Sequence, residues 1–454
     1  MAKLPWIAAA AATAVLLAAQ QRTDFRGEIE KRNQALPVIA VPDFRGSGDA
    51  QPLAAAFNQT LWSDLESSGK VQLAPKTMYP TVVPQQPSDL LEPRPDVQKA
   101  GGRLLSDWSN PPAQANYLAF GYAASKEGLF VAFGYFYDLS QPVQTAKVIG
   151  EIYTAPLNED GARKAAHEFA AAILARFGGT TLFGTHIYFT SNRSGHKEIW
   201  AMDFDGSNQR QITHFNFIAT SPAVSPDGSR LMCTAWPGEG KQARIFLFST
   251  DPLRQLTFVS PPGMTYTAHS SFTPDGKQAL FDGATGDSYR IFISGIDGSH
   301  PRVIRSSESV EVQPVMNPKN PNVIAFTSGR SGTPQIYTMD ADGGSLTRVT
   351  NGNGEAHNAA WQPDGAHIAF AWTQGYAPGN LNIFIVNVAD GSYVQLTHGE
   401  GKNENPSWAP DGVHLAFSST RMGGREQIWS MRADGQDLKQ LTTEGTNSTP
   451  AWGK

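Results

Sequence analysis

Asn405-Pro406-Ser407-Trp408-Ala409-Pro410-Asp411-Gly412, continuing after Val413 into His414-Leu415-Ala416-Phe417-Ser418, is the stretch on which the reading of the fold turns. A polar residue opens it, a short run ending in an aromatic follows, and a Pro-Asp-Gly turn feeds a strand. Proline presets one turn dihedral and glycine accepts the left-handed one, so the tripeptide reverses the chain. The same phrase recurs at Asn358 through Gly365, Ser221 through Gly228 and His269 through Gly276. A fifth copy, Gln313 through Asn320, keeps the proline but puts Lys319-Asn320 in place of Asp-Gly. A sixth, Thr449-Pro450-Ala451-Trp452, stops before any turn.

Working outward, each second strand leads through a hairpin loop, as at Ser191 to Gly195, Ser328 to Gly332 and Ser419 to Gly423, into a third strand that runs to an Asp-Gly turn. The fourth strand ends on Gln211-Ile212-Thr213, Gln255-Leu256-Thr257, Gln395-Leu396-Thr397 or Gln440-Leu441-Thr442. The first apolar residue of the third strand marks the period: Ile199, Ile245, Ile291, Ile336, Ile383 and Ile428, with gaps of 46, 46, 45, 47 and 45 residues. That spacing is one four-stranded propeller blade, and six marks predict six blades. The array begins with a second strand, Ile187 to Thr190, and ends with a first strand, Thr449 to Trp452. Joining the two in one sheet would close the ring and remove its open edges.

Ahead of the repeats, Pro37 to Val41 reads as a strand. A helix with Leu53, Phe57, Leu61 and Leu65 on one face follows, with Gly69 as its stop. Val71 to Ala74 is a second strand and Pro80 to Pro95 a proline-rich loop. Tyr117 to Tyr122, Leu129 to Tyr137 and Val148 to Tyr153 alternate as strands, before a helix spaced by Ala166, Phe169, Ile173 and Phe177. The expected class is mainly β: a six-bladed β-propeller over residues 183–454, preceded by a small α/β (α+β) domain over residues 34–178. Arg45-Gly46-Ser47-Gly48 could present backbone N–H groups to a phosphate, but it lacks the Gly-Lys-Ser/Thr ending, so a connecting turn is the expectation.

Residues 1–20 carry Lys3 and an apolar run, Ile7 to Ala19, the size of a signal-peptide core and short for a bilayer span. Export is expected, with an uncleaved anchor as the alternative because Leu17 sits where a cleavage site prefers a small residue. Cys233 is the only cysteine, so no intramolecular disulfide can form, and its strand setting predicts a packed thiol. The net charge of −5, with no basic stretch interleaved with aromatics, argues against nucleic acid.

No Gly-x-Ser-x-Gly elbow or His-Glu-x-x-His pair occurs, so neither a hydrolase nor a metal site is expected, and no cofactor. The ten histidines are scattered, and the repeated Asp-Gly pairs read as turns rather than calcium loops. Aligning the blades on the Pro-Asp-Gly proline places Ser221, His269, Gln313, Asn358, Asn405 and Thr449 at one position. All six can hydrogen-bond. At the start of each innermost strand they would ring one mouth of the central channel, unless they are merely strand starters.

With these pieces in place, the chain resembles the TolB family of the Tol–Pal envelope system of Gram-negative bacteria. The likeness rests on Pro37-Val38-Ile39-Ala40-Val41-Pro42-Asp43-Phe44, Asp64-Leu65-Glu66-Ser67-Ser68-Gly69, Gln85-Gln86-Pro87 and the recurring blade signatures. It implies a periplasmic, non-catalytic adaptor that binds the Pal lipoprotein at a propeller mouth, matching Ser221, Ala268 and His269 here, with Ile218 added from the loop just before Ser221. It also implies docking of the N-terminal segment, about residues 21–33, to its own domain or to TolA, and a role in outer-membrane integrity and cell division. A monomer, peripheral to the membrane through its partners, is expected. A small ligand in the channel, such as a glycan or peptide, for a sensor or enzyme, is the alternative. At the rim, His269 is expected to serve binding and not folding.

Overall fold

A computed structural model describes residues 36–93, 101–238, 241–258, 260–261, 263–286, 288–305 and 307–454. The signal segment, the segment 21–33 and the end of the proline-rich loop lie outside the described residues. Those described divide into two compact units, residues 36–183 and residues 184–454.

The first unit is a twisted sheet in the order Gln72–Leu73, Val38–Ala40, Tyr117–Lys126, Leu129–Asp138, Lys147–Pro156, with Arg45–Gly46 pairing beside Tyr122 and Ala123. Two helices, Ala54–Ser67 and Glu159–Ala175, cover one face, because every third or fourth residue of each is apolar. Phe57, Leu61 and Leu65 from the first and Phe169 and Ile173 from the second meet Phe130 and Phe136 of the sheet and Phe44 just before Arg45–Gly46. On the other face Trp108, Leu118, Phe120 and Tyr137 form a second core. The Asn158 side chain accepts from Gly161 N at 2.8 Å and so caps the second helix, whose first turn carries Glu159 and Asp160. Leu53 and Phe177 fall just outside the helices expected to contain them, yet both pack against the same core. Gly46 has a packing reason. A Cβ there would lie 2.5 Å from the Gln51 Cα, so the glycine lets strand and following turn touch, and no phosphate is needed to explain it.

The second unit is six four-stranded antiparallel sheets. Blade 1 combines Asn447–Gly453 with His186–Ser191, Glu198–Asp203 and Arg210–Gln211; Ala451 pairs with Tyr188 and Trp452 with Ile187, so the chain's last strand closes the ring. The inner strands of blades 2 to 6 are Ala219–Val224, Tyr266–Phe272, Glu311–Met316, Ala356–Trp361 and Asn403–Trp408. The six marker isoleucines are all buried. Blades pack face to face through such clusters as Trp408 with Ala369, Ile383, Phe417 and Trp429, and the Trp408 indole N–H reaches back to the Ala360 carbonyl at 3.1 Å. Cys233 is fully buried, and burial pushes its thiol pKa up, away from reactivity.

In the Pro-Asp-Gly turns the aspartate accepts the backbone N–H two residues on, at 2.8 Å in both Asp364 and Asp411. The fifth copy, which lacks Asp-Gly, achieves the same end with asparagines: Asn317 Oδ1 accepts from Lys319 N and Asn320 N, at 2.9 and 3.0 Å.

Candidate functional site

Each inner strand carries one bulge at the same place. Pairing with the second strand shifts between Thr220 and Ala223, Ala268 and Ser271, Val312 and Val315, His357 and Ala360, Glu404 and Ser407, and Ser448 and Ala451. Within these bulges lie the six aligned residues, Ser221, His269, Gln313, Asn358, Asn405 and Thr449, and all six have positive φ, from 43° to 58°. For side-chain-bearing residues this conformation is costly, most of all for β-branched Thr449. Proline follows four of the six, which suits a bulge because no ladder N–H is wanted there.

The bulges turn these residues toward the axis, where all six line one cavity of about 140 Å³ with Ser270, Ser271 and the neighbouring prolines. They sit third or fourth in their strands, deeper than the rim expected from the sequence, and form a waist rather than a mouth. Beyond it the channel widens to about 700 Å³ between Trp361, Trp408, Trp452, Phe272 and the turn prolines. Of the two further candidates, Ile218 is 47% exposed beside the waist residues but does not line it, while Ala268 is 0% exposed and presents no surface. The place given to Ala268 among partner-binding residues is therefore corrected: its methyl packs inside the blade, where it pairs with Asp282.

A belt of hydrogen bonds holds the waist. Position by position, the second strands supply Thr190, Thr234, Asp282, Thr327, Ala371 and Ser418 opposite the marker isoleucines. Thr190 meets Thr449 at 2.7 Å, Thr327 donates to Gln313 Oε1 at 3.1 Å and Asn405 donates to Ser418 at 3.2 Å. Between blades, Thr234 accepts from His269 N and Asp282 from Gln313 N, both at 3.0 Å. Asp282 is the residue that reading the sequence missed. It is fully buried and takes His269 Nδ1 at 3.0 Å. Burial disfavours a charged His269, but the Asp282 carboxylate outweighs it and raises the imidazole pKa above the ordinary value. A charged residue inside Leu280-Phe281-Asp282-Gly283, an otherwise apolar strand, was the available signal. His269 thus has a structural partner beside the binding role expected of it.

The hairpin arginines fold back onto their own blades. Arg193, Arg330 and Arg421 each stack on two aromatic rings of their own blade and donate to the serine two residues before. They also bond the first residue of the adjoining inner strand: Asn447, Glu311 and Asn403 respectively. Among the described residues no group of three or more His, Cys, Asp or Glu side chains could hold a metal ion, and no helix is long and apolar enough to cross a membrane.

Comparison with known proteins matches residues 174–377 and 353–454 to the family described as the TolB beta propeller domain. A protein TolB homolog of Chlorobium luteolum is 29% identical over 299 residues, 64% of this chain and 63% of that protein. The Tol-Pal system protein TolB of Bordetella pertussis is 27% identical over 231 residues, 51% of each. The chain thus spans between about half and just under two thirds of these relatives. The crystal structure of TolB from Acinetobacter baumannii superposes with a TM-score of 0.70 at 21% identity, covering 92% of this chain and 97% of that one, a likeness of fold. With its six blades, its closing strand and a family match over more than half its length, the chain belongs to the TolB β-propeller family.

Proposed function

We propose that this chain is an exported, non-catalytic adaptor of a Tol–Pal envelope system that binds a Pal-type lipoprotein at the end of the propeller channel guarded by the waist. The observation that carries the reading is the convergence of six polar, strained residues on one cavity of a closed propeller. Strained non-glycine backbone persists only where the surroundings over-determine it, and it gathers at functional sites. Short polar side chains suit an incoming protein segment, since each can pair a backbone group that would cost ~1–3 kcal/mol if buried alone. The name of the Bordetella relative points to the same system. Around the waist the partner surface takes Ser221, His269, Gln313, Asn358, Asn405 and Thr449, with exposed Ile218 beside it. The segment 21–33 is the proposed link to TolA, and through these partners the protein supports outer-membrane integrity and cell division.

Calorimetric titration of the mature protein with purified Pal tests the reading. Saturable binding that disappears when Ser221 and His269 are both replaced by bulky residues is expected. Unchanged affinity in that double variant would remove the waist as the partner site, and turnover or micromolar binding of a glycan with no envelope partner would replace the adaptor by the small-ligand alternative. Intact mass of the periplasmic protein, expected to lack the residues before about position 20, tests export.

A further inference from the structure

The hydrogen-bonding groups of the waist are not evenly shared. On the side formed by blades 3 and 4, three groups have donors left to offer. His269 lines the cavity with its side chain 34% exposed, and its Nδ1 is committed to Asp282, leaving Nε2 for the cavity. Ser270, next to it, also lines the cavity; the residue is only 7% exposed and its hydroxyl has no partner. The Gln313 carbonyl oxygen already accepts from Thr327 Oγ1 and from Asn358 N, so the amide nitrogen is the end that remains. No carboxylate lines the waist, and Asp282 itself is sealed from it. A buried hydroxyl left unpaired is costly unless something arrives to pair it.

We propose that the waist is a carboxylate-binding subsite, in which His269 Nε2, the Ser270 hydroxyl and the Gln313 amide nitrogen donate to the oxygens of one carboxylate group. A carboxylate is acceptor-only and has two oxygens with about four lone-pair sites, which matches three donors from one side. The cavity of about 140 Å³ has room for a carboxylate with one or two methylenes, the size of an acidic side-chain tip or of a small free acid. Asp282 strengthens the site indirectly. It fixes the imidazole orientation through Nδ1, and by raising the imidazole pKa keeps both nitrogens protonated to a higher pH than in free histidine. Asp282 is also the one charged group that bears on His269. The group could be the end of an acidic side chain from a docked partner, in which case the inference rests on the adaptor reading, or a free small carboxylate, in which case it does not.

The experiment follows the His269 imidazole and Ser270 amide resonances of the full mature chain while sodium acetate replaces sodium chloride at constant ionic strength and pH 6. A saturable acetate shift is expected. It should weaken by about three- to thirtyfold in Ser270→Ala, the loss of one hydrogen bond to a charged group, and the Ser270 amide shift should vanish in His269→Gln. No saturable shift beyond chloride, or undiminished affinity in Ser270→Ala, overturns the proposal; Ser270→Ala removes only an unpaired hydroxyl, so its fold is secure if His269→Gln proves unstable. A second arm titrates Pal in acetate and in chloride. Competition by acetate identifies the partner as the carboxylate donor, and acetate binding without competition supports a free carboxylate. Pal binding with no acetate binding sinks the subsite and spares the adaptor, whereas acetate binding with no Pal binding does the reverse.

Discussion

Blades 1, 4, 5 and 6 are pinned, while blade 2, which carries the same signature, is not. In the pinned blades the third strand opens with Glu198, Gln335, Asn382 or Gln427, all buried. The threonine that ends the fourth strand donates to that side chain, as Thr442 does to Gln427 at 2.7 Å, and accepts the marker isoleucine N–H, at 2.8 to 3.0 Å in all four blades. Blade 2 has Gln255-Leu256-Thr257, yet Thr257 is exposed. The reason lies thirteen residues earlier, where Arg244 replaces the acceptor and donates instead to the carbonyls of Ala243 and Thr265. Blade 3 likewise puts Arg290 at this place and extends its middle strands to eight residues. A motif therefore carries structure only with its partner present. It is in blade 3, free of the pin, that the waist acquires an ion pair, His269 with Asp282.

The largest effect should come from removing what the pinned blades share. Asn447 donates to Gln427 of blade 6 at 2.7 Å and accepts Arg193 of blade 1 at 3.0 Å, so the closing strand ties one pin to the next. Deleting residues 447–454 opens blade 1 along His186–Ser191, and since each blade is buried against its neighbours the whole propeller should lose its cooperative melt. Calorimetry that shows the parent transition in the truncated protein would mean closure contributes nothing.

The fold was legible from the sequence because propeller architecture is periodic. One phrase, repeated six times, gave blade number, strand order and closure. The six waist positions were legible for the same reason, by alignment. Their depth was not, because a bulge depends on pairing register, which the residues Ser221 or Asn405 do not announce by themselves. Nor was Asp282, a single non-repeating residue whose meaning comes from His269 across the sheet. The inward stacking of the arginines was not legible either, because the hairpin loops alone do not show that Arg193 and Arg421 find aromatic faces and inner-strand amides beneath them.

A smaller effect should distinguish blade 3 from the rest. His269→Ala leaves Asp282 buried with Gln313 N as its remaining partner, and should cost ~1–3 kcal/mol, less than a fully buried pair because the imidazole is partly exposed. The folded-state pKa of His269 is raised, so the charge-dependent part of this loss is fully present below the ordinary value of about 6.5 and fades as pH rises through the folded value. Thermal melts of both proteins across that range should show the gap narrowing as pH rises. A gap independent of pH would assign the loss to packing and deny the ion pair.

The smallest and sharpest prediction sets one threonine against another. Thr442→Val keeps shape and removes a hydroxyl that both gives and receives a hydrogen bond, in a residue 1% exposed. The Ile428 N–H is left without that acceptor in the blade interior, and the expected loss is ~1–3 kcal/mol. Thr257→Val makes the identical chemical change in the identical motif, but at an exposed side chain of blade 2, and should stay within ~0.5 kcal/mol of the parent. Denaturant unfolding with unchanged slope measures both. Behind the difference in burial and bonding stands residue 427 or residue 244 at the head of the third strand, an acceptor in one blade and a pure donor in the other. If Thr442→Val and Thr257→Val shift the midpoint equally, the hydroxyl pin does not stabilise the blades, and the signature owes its recurrence to strand propensity alone.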